Sequence, residues 1–295
     1  TMDKKSNSFK VSFIVGLSFT TIGLILTLSG LANFGMAIFF FLPLAVGISS
    51  GLLPDLKQAI FGTLSSLLLF SVFLIATKAE GIICVLMALP ILLLAMWIGW
   101  VIGKASRKNK ENTDIKVTIA PILIFIIANM FEVFSGNPQA PSSASTSIIL
   151  NANTEKVYNS IIEVDTVDVE TNLLQKIGLP TPRKCILTEA KIGGTRLCEF
   201  DEGYIVETIK DFIPNKYLRM KITECKLDKE RHWLKFNEDI YKLESLPNGQ
   251  TKITRTTTYS STLKPRIYWE FMEALTIKSE HDFVFRNLEK DIKEE

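Results

Sequence analysis

The chain has 295 residues, 47% of them hydrophobic, and a formal charge of +2, averages that would suit a soluble enzyme and conceal two different halves. Up to Thr146 there are ten Lys/Arg and six Asp/Glu, whereas from Ser147 onward there are 23 and 25, a formal charge of −2. Neither half has the clustered basic face that a nucleic-acid binder needs, so nucleic acid is excluded as a partner.

Four uncharged stretches, residues 11–31, 34–53, 58–77 and 82–103, each approach the roughly 20 residues with which a helix crosses a bilayer. A fifth, 117–134, carries Glu132 near its end, and Lys116 and Glu132 can snorkel from the ends of its short uncharged core. These segments predict a helical bundle of about five transmembrane helices over residues 1–134. A signal peptide is rejected for the first, because its run is long and continues into the next with only Ala32 and Asn33 between. Apart from Glu132 the spans hold no ionisable group, so the bundle reads as anchor and partner surface rather than as an ion path. Pro43, Pro90 and Pro121 lie where they can kink helices.

Lys4, Lys5 and Lys10 precede the first span, and Lys104, Arg107, Lys108, Lys110 and Lys116 lie between the fourth and fifth. Positive loops stay cytoplasmic, which predicts a multi-pass protein of the cell (cytoplasmic or inner) membrane with its N-terminus inside. If the fifth segment crosses, the C-terminal domain is extracytoplasmic, and that is the expectation. Residues 135–146, rich in Pro, Ser and Ala, read as an exposed spacer.

From Ser147 the pattern is a short strand at 147–150, a helix capped by Asn153 or Thr154 with Val157, Tyr158, Ile161 and Ile162 on one face, and a short helix at 172–177. Strands follow near 184–190, 195–200, 204–212, 217–225, 233–244 and 251–260. Their joints are Gly193-Gly194, Asp201-Glu202-Gly203, Pro214-Asn215, residues 228–231, and Asn248-Gly249, the last a type I′ hairpin signal. Residues 266–293 form one long helix. On it Ile267, Phe271, Ala274, Lys278, His281, Phe285, Leu288 and Ile292 share a stripe expected to meet the sheet, while Trp269 and Phe283 lie opposite, open to a bilayer or a partner. Lys278 and His281 read either as a snorkelling lysine and a histidine bonded to a backbone carbonyl, or as oriented polar groups of a pocket.

Leu218, Met220 and Ile222 alternate with Tyr217, Arg219 and Lys221, which sets the inward face there. A two-residue loop at Asp201-Glu202 puts Arg196 opposite Glu207, and a three-residue loop with a Gly203 bulge puts it opposite Thr208. The pair is then a surface ion pair or a charged pair at a cavity mouth. Cys185, Cys198 and Cys225 are odd in number and lack CxxC spacing, so neither a disulfide framework nor a zinc site is expected. His232 and His281 are the only histidines, and no cofactor is implied.

The element order, with Gly194-Thr195-Arg196-Leu197-Cys198-Glu199-Phe200 followed by Gly203, Glu207 and Ile209, and the opening Asn151-Ala152-Asn153-Thr154-Glu155-Lys156-Val157-Tyr158, resembles the START-like or helix-grip superfamily of polyketide cyclases, plant-allergen-like ligand carriers and lipid-transfer domains. The resemblance covers about residues 147–293. It implies an α+β helix-grip domain over 147–295, an antiparallel sheet wrapped around the C-terminal helix with an apolar cavity between them. The cavity candidates are Arg196, Cys198, Phe200, Glu207, Leu218, Met220, Ile222, Phe271, Lys278, His281 and Phe285. The function implied is membrane-anchored carrying or sensing of a hydrophobic small molecule or lipid. The alternatives are an interaction module with a membrane-protein partner or a second copy of the chain, and a cyclase- or hydrolase-type enzyme using His281.

Overall fold

Helix α1 (Met2–Leu28) opens the computed structural model, which describes residues 2–108, 115–136, 139–227 and 233–294. Lys110, Asn137, Pro138, residues 228–231 and His232 fall outside the described residues. Contacts divide the chain into one unit of Thr1–Pro138 with Thr262–Trp269 and another of Gln139–Ser261 with Glu270–Glu295.

In the first unit α1 is followed by a π-helical turn (Ala37–Phe41), α2 (Leu42–Gly51), α3 (Leu56–Ala76), α4 (Ile82–Lys108) and α5 (Ile115–Ser135). Among the described residues three helices are long and apolar enough to cross a membrane, over Asn7–Leu28, Leu56–Ala76 and Ile82–Arg107. The stretch expected as one span at 34–53 is shorter. Its helical part is Ala37–Gly51, about 22 Å at 1.5 Å per residue against roughly 30 Å of hydrocarbon. The π turn leads directly into Pro43 near the start of α2, where the missing proline N–H is tolerated. Glu132 turns inward. Its carboxylate accepts from the backbone N–H of Met36 (2.5 Å) and Ala37 (3.2 Å), satisfying two donors at the start of that helical run.

Glycine holds this unit together. A Cβ on Gly47 would lie 2.3 Å from the Met96 carbonyl oxygen, and one on Gly99 would lie 2.8 Å from the Gly47 Cα; Gly51 and Gly103 repeat the contact one turn on. Two small-xxx-small faces therefore bring the α2 and α4 backbones together. Gly62 of α3 sits as tightly on Phe9 and Ser12 of α1.

The second unit is a seven-stranded antiparallel sheet in the order β1-β7-β6-β5-β4-β3-β2 with a long C-terminal helix. The strands are β1 (Ala140–Leu150), β2 (Pro182–Leu187), β3 (Thr195–Phe200), β4 (Gly203–Ile213), β5 (Tyr217–Leu227), β6 (Leu234–Ser245) and β7 (Thr251–Ser261). Helices α6 (Thr154–Ile162) and α7 (Leu173–Lys176) follow β1, and α8 (Arg266–Glu294) ends the chain. β1 begins seven residues before the strand expected at 147–150, inside the stretch read as spacer, and pairs with β7 along its whole length. Ser143, Ser145 and Ser147 lie opposite threonines of β7, with hydroxyl pairs Ser145–Thr256 (2.6 Å) and Ser147–Thr254 (2.8 Å). Pro141 is tolerated because β1 is an edge strand.

Asn153 caps α6 by accepting from the Lys156 N–H, and Asn172 with Gln175 forms a capping box at α7. The β6–β7 connection is a five-residue loop, 246–250, rather than a two-residue hairpin at Asn248-Gly249, because Leu246 accepts from the Gly249 N–H and itself donates to Gln250. Leu150, Val157, Tyr158, Ile161, Ile209, Leu218, Met220, Tyr241, Leu243, Ile253, Phe285, Leu288 and Ile292 form the core between sheet and helices.

Candidate functional site

Asp201 and Glu202 form the two-residue alternative of the β3–β4 loop, and Phe200 pairs with Gly203. Gly203 has φ +106° and no space for a Cβ, which would meet the Lys226 carbonyl oxygen at 1.8 Å. That register sets Arg196 directly opposite Glu207. Far from being a surface pair, both side chains are almost wholly buried, with Arg196 Nε and Nη2 at 2.7 and 2.6 Å from Glu207 Oε2. Arg196 Nη1 donates to the Ile161 carbonyl at the end of α6 (2.6 Å), so the guanidinium ties sheet to helix.

A second buried pair lies alongside. Arg255 of β7 donates to Asp239 of β6 (2.7 Å) and to Glu280 of α8 (3.1 Å). The Tyr241 ring has the Arg196 guanidinium 5.7 Å and the Arg255 guanidinium 5.6 Å from its centroid, within cation–π range. Burial disfavours each charge, and the pairing decides the outcome. Arg196 and Arg255 are raised above the ordinary arginine value, burial being outweighed by Glu207 and Asp239 respectively. Burial likewise opposes the Asp239 charge, but Arg255 and the Thr257 hydroxyl hold the carboxylate below its usual range. Glu207 and Glu280 are raised, since burial outweighs their arginine partners.

These groups line a cavity of about 60 Å3. Apolar side chains, Ile161, Val164, Val167, Ile205, Ile222 and Leu288, line it beside them, as does the Cys185–Cys198 disulfide. The expectation of unpaired cysteines is therefore corrected. β2 and β3 place the two residues in direct cross-strand register, a relation that linear spacing does not reveal, while Cys84 and Cys225 are not part of this disulfide.

Among the residues expected at a cavity, Arg196, Cys198, Phe200, Glu207 and Ile222 line this one. Leu218, Met220 and Phe285 are in the adjoining core. Phe271 and Lys278 are instead exposed on α8. The buried line of that helix runs through Trp269, Glu273, Ile277, His281, Phe285, Leu288 and Ile292, so Ile267 also faces outward and Trp269 and Phe283 are buried rather than open. The error in the stripe came from Glu273, a polar residue in an inward position, whereas His281, Phe285, Leu288 and Ile292 are buried as expected. Glu273 is accommodated by accepting from the Ser261 hydroxyl (2.6 Å).

His281 is fully buried but outside the cavity lining. Its Nε2 lies 2.8 Å from the Thr257 hydroxyl, which in turn donates to Asp239, and its Nδ1 lies 3.2 Å from the Thr146 hydroxyl. With the Thr257 proton directed to Asp239, Nε2 is the ring donor and Nδ1 accepts from Thr146. Burial, reinforced by Arg255, lowers its pKa to about 3, so the ring is neutral at physiological pH. Among the described residues its ring nitrogens thus meet the Thr257 and Thr146 hydroxyls, in place of the backbone carbonyl or carboxylate that the sequence reading set out for it.

The sequence reading missed Asp239, Tyr241, Arg255 and Glu280. A signal was present in β7, where Ile253 and Tyr259 set the inward parity and Arg255 and Thr257 share it.

No family model and no curated protein matches the chain. Solved structures that align with about half of it include Ara h 8.0201 at 12% identity, covering 53% of this chain and 100% of that one, with a TM-score of 0.36. A protein of unknown function from Staphylococcus aureus is also 12% identical, over 54% of this chain and 99% of its own, with a TM-score of 0.36. The Aha1 dimer from Colwellia psychrerythraea is 17% identical over 48% and 95%, with a TM-score of 0.29. The helix-grip description of the second unit rests on its own strand order, register and C-terminal helix.

Proposed function

We propose that this protein binds a small amphipathic molecule between the sheet and α8, and that its apolar helices anchor the site at a membrane. The observation that carries the reading is the mixed lining of the cavity, in which paired guanidinium and carboxylate groups stand among aliphatic side chains. Arg255 Nε is buried without a hydrogen-bond partner among the described residues, so an acceptor atom on the ligand would complete it. At about 60 Å3 the cavity falls short of the roughly 300–1,000 Å3 of a drug-sized pocket. A compact ligand with a polar end fits that size better than a lipid, whose chain would enter only if α8 moved away from the sheet.

The reading includes an extracytoplasmic position for the second unit and five membrane-embedded helices. Two observations support it: the lysine and arginine placement, and a cross-strand disulfide of the kind that persists in oxidising compartments. The test is native mass spectrometry of the full chain released from membranes. One reproducible small adduct is expected, and it should vanish in the Arg196→Met, Glu207→Leu double variant. A wild-type protein that is always free of adducts would overturn the proposal.

A further inference from the structure

The outward face of α8 changes character along its length. Ile267 is 87% exposed, Phe271 66% and Leu275 51%, and they follow one another at four-residue spacing on a single stripe. Continued at helical spacing, the same stripe meets Lys278, Asp282, Arg286, Glu289 and Lys293, all exposed. One uninterrupted helix therefore presents three large apolar side chains along this stripe on its first turns, with exposed Glu270 at the stripe's edge, and charged ones afterwards. Water alone does not account for both halves, because exposed apolar residues on a soluble surface are normally scattered rather than aligned.

The first turn of α8 indicates what covers the apolar half. Residues Thr262–Trp269 belong to the same unit as the apolar helices. Within it the Tyr268 hydroxyl donates to the Met87 carbonyl of α4, and the Trp269 and Phe39 rings are 4.6 Å apart. Met87 lies inside a segment long and apolar enough to cross a membrane, and its neighbour Leu86 is itself exposed. Ile267 belongs to that same apolar unit, and Phe271 and Leu275 follow it on one continuous helix over about 12 Å of its axis at 1.5 Å per residue.

We infer that Ile267, Phe271 and Leu275 are immersed in the headgroup and upper acyl region of a lipid bilayer, and that the water boundary crosses α8 between Leu275 and Lys278. Tyr268, partly exposed beside them, is of a residue type enriched at that depth. Lys278, the first charge on the stripe, can extend its ammonium to lipid phosphates while its stem stays against the apolar side. Three large side chains with a lysine at their upper edge are the composition of an interfacial helix face.

The inference rests on the membrane reading of the apolar helices and is independent of the cavity ligand. Its test uses the full chain in phosphatidylcholine–phosphatidylglycerol nanodiscs, with Cys84 and Cys225 replaced by serine and single cysteines introduced at Leu94, Phe271, Leu275, Asp282 or Glu289. Each cysteine carries a nitroxide, and its collision rates with oxygen and with a water-soluble nickel chelate are compared. Phe271→Cys and Leu275→Cys should favour oxygen as Leu94→Cys does, with the oxygen-to-nickel ratio at least severalfold above that at Asp282→Cys and Glu289→Cys. Nickel access at 271 and 275 equal to that at 289 would overturn the inference. So would exclusion of both reagents, which would mean that a protein surface covers the stripe. An aqueous label at Leu94 would remove the membrane reading as well, so the two failures are distinguishable.

Discussion

Where α2 meets α4 the interface is glycine against backbone, whereas behind the sheet two arginines, three carboxylates and a histidine share the interior. The contrast is the one expected if, as proposed above, the first unit lies in lipid and the second in water. Helices in lipid gain little by burying apolar side chains, because lipid offers the same surroundings, so their association relies on close backbone approach. The sheet unit already has a large aliphatic core supplying its hydrophobic stability. It can therefore bury ion pairs that add little stability in themselves but leave polar groups poised at a cavity.

The sharpest way to break this contrast is at its glycine end. Gly99→Leu forces a side chain into a gap where even a Cβ lies 2.4 Å from the Leu44 carbonyl oxygen. The helices must separate, a loss well above the 1–3 kcal/mol of ordinary overpacking, and cysteine crosslinking between α2 and α4 should disappear. At the charged end, Arg196→Ala leaves Glu207 buried without its guanidinium. It should cost about 3–5 kcal/mol, read as faster hydrogen exchange throughout β3 and β4. Replacing both partners, Arg196→Met with Glu207→Leu, should return stability to within about 1 kcal/mol of the native protein or exceed it; a double variant as unstable as the single one would show that the pair itself stabilises the fold. Cys198→Ser should cost about 3 kcal/mol, the value for closing a loop of this length, with the loss concentrated at β2.

The smallest effect is in pH. The folded His281 titrates near 3 and the unfolded one near 6.5, so between these values the unfolded chain binds the extra proton. Its contribution to stability is therefore complete above about pH 6.5 and declines on acidification, by at most about 1.4 kcal/mol per pH unit. Glu207 and Glu280, with raised folded pKa values, act in the opposite direction between their unfolded and folded values. Comparing urea midpoints of the native protein and His281→Gln at pH 7 and pH 5 removes that common background. The histidine protein should lose more on acidification; parallel pH dependence would mean that His281 is not shielded.

Much of the sheet was legible because alternation and turn residues are local signals. β3 matches its expected limits, and the others from β2 to β7 lie within about three residues of theirs, a boundary error usual for sequence reading. The first half of β1 was not legible. Pro141, Ser142, Ser143 and Ser145 have the composition of a spacer, and they become a strand only because β7 offers a ladder of threonines. The buried charges were half legible. Parity placed Leu218 and Met220 inward and the helical stripe placed His281 there, but hydrophobic periodicity does not count Glu273 or Arg255 toward an inward face. The Cys185–Cys198 bridge depends on cross-strand register, which neither residue encodes locally.

The pairing of β1 with β7 has a consequence for biosynthesis. Ser147 and Thr254, whose hydroxyls meet, are 107 residues apart. A ribosome adding 5–20 residues per second leaves β1 without its partner for on the order of ten seconds after it emerges. For that interval it is an exposed strand edge of the kind that recruits other chains. Its Pro141 and its run of serines, poor material for a strand, act as gatekeepers that keep the nascent chain soluble until β7 arrives.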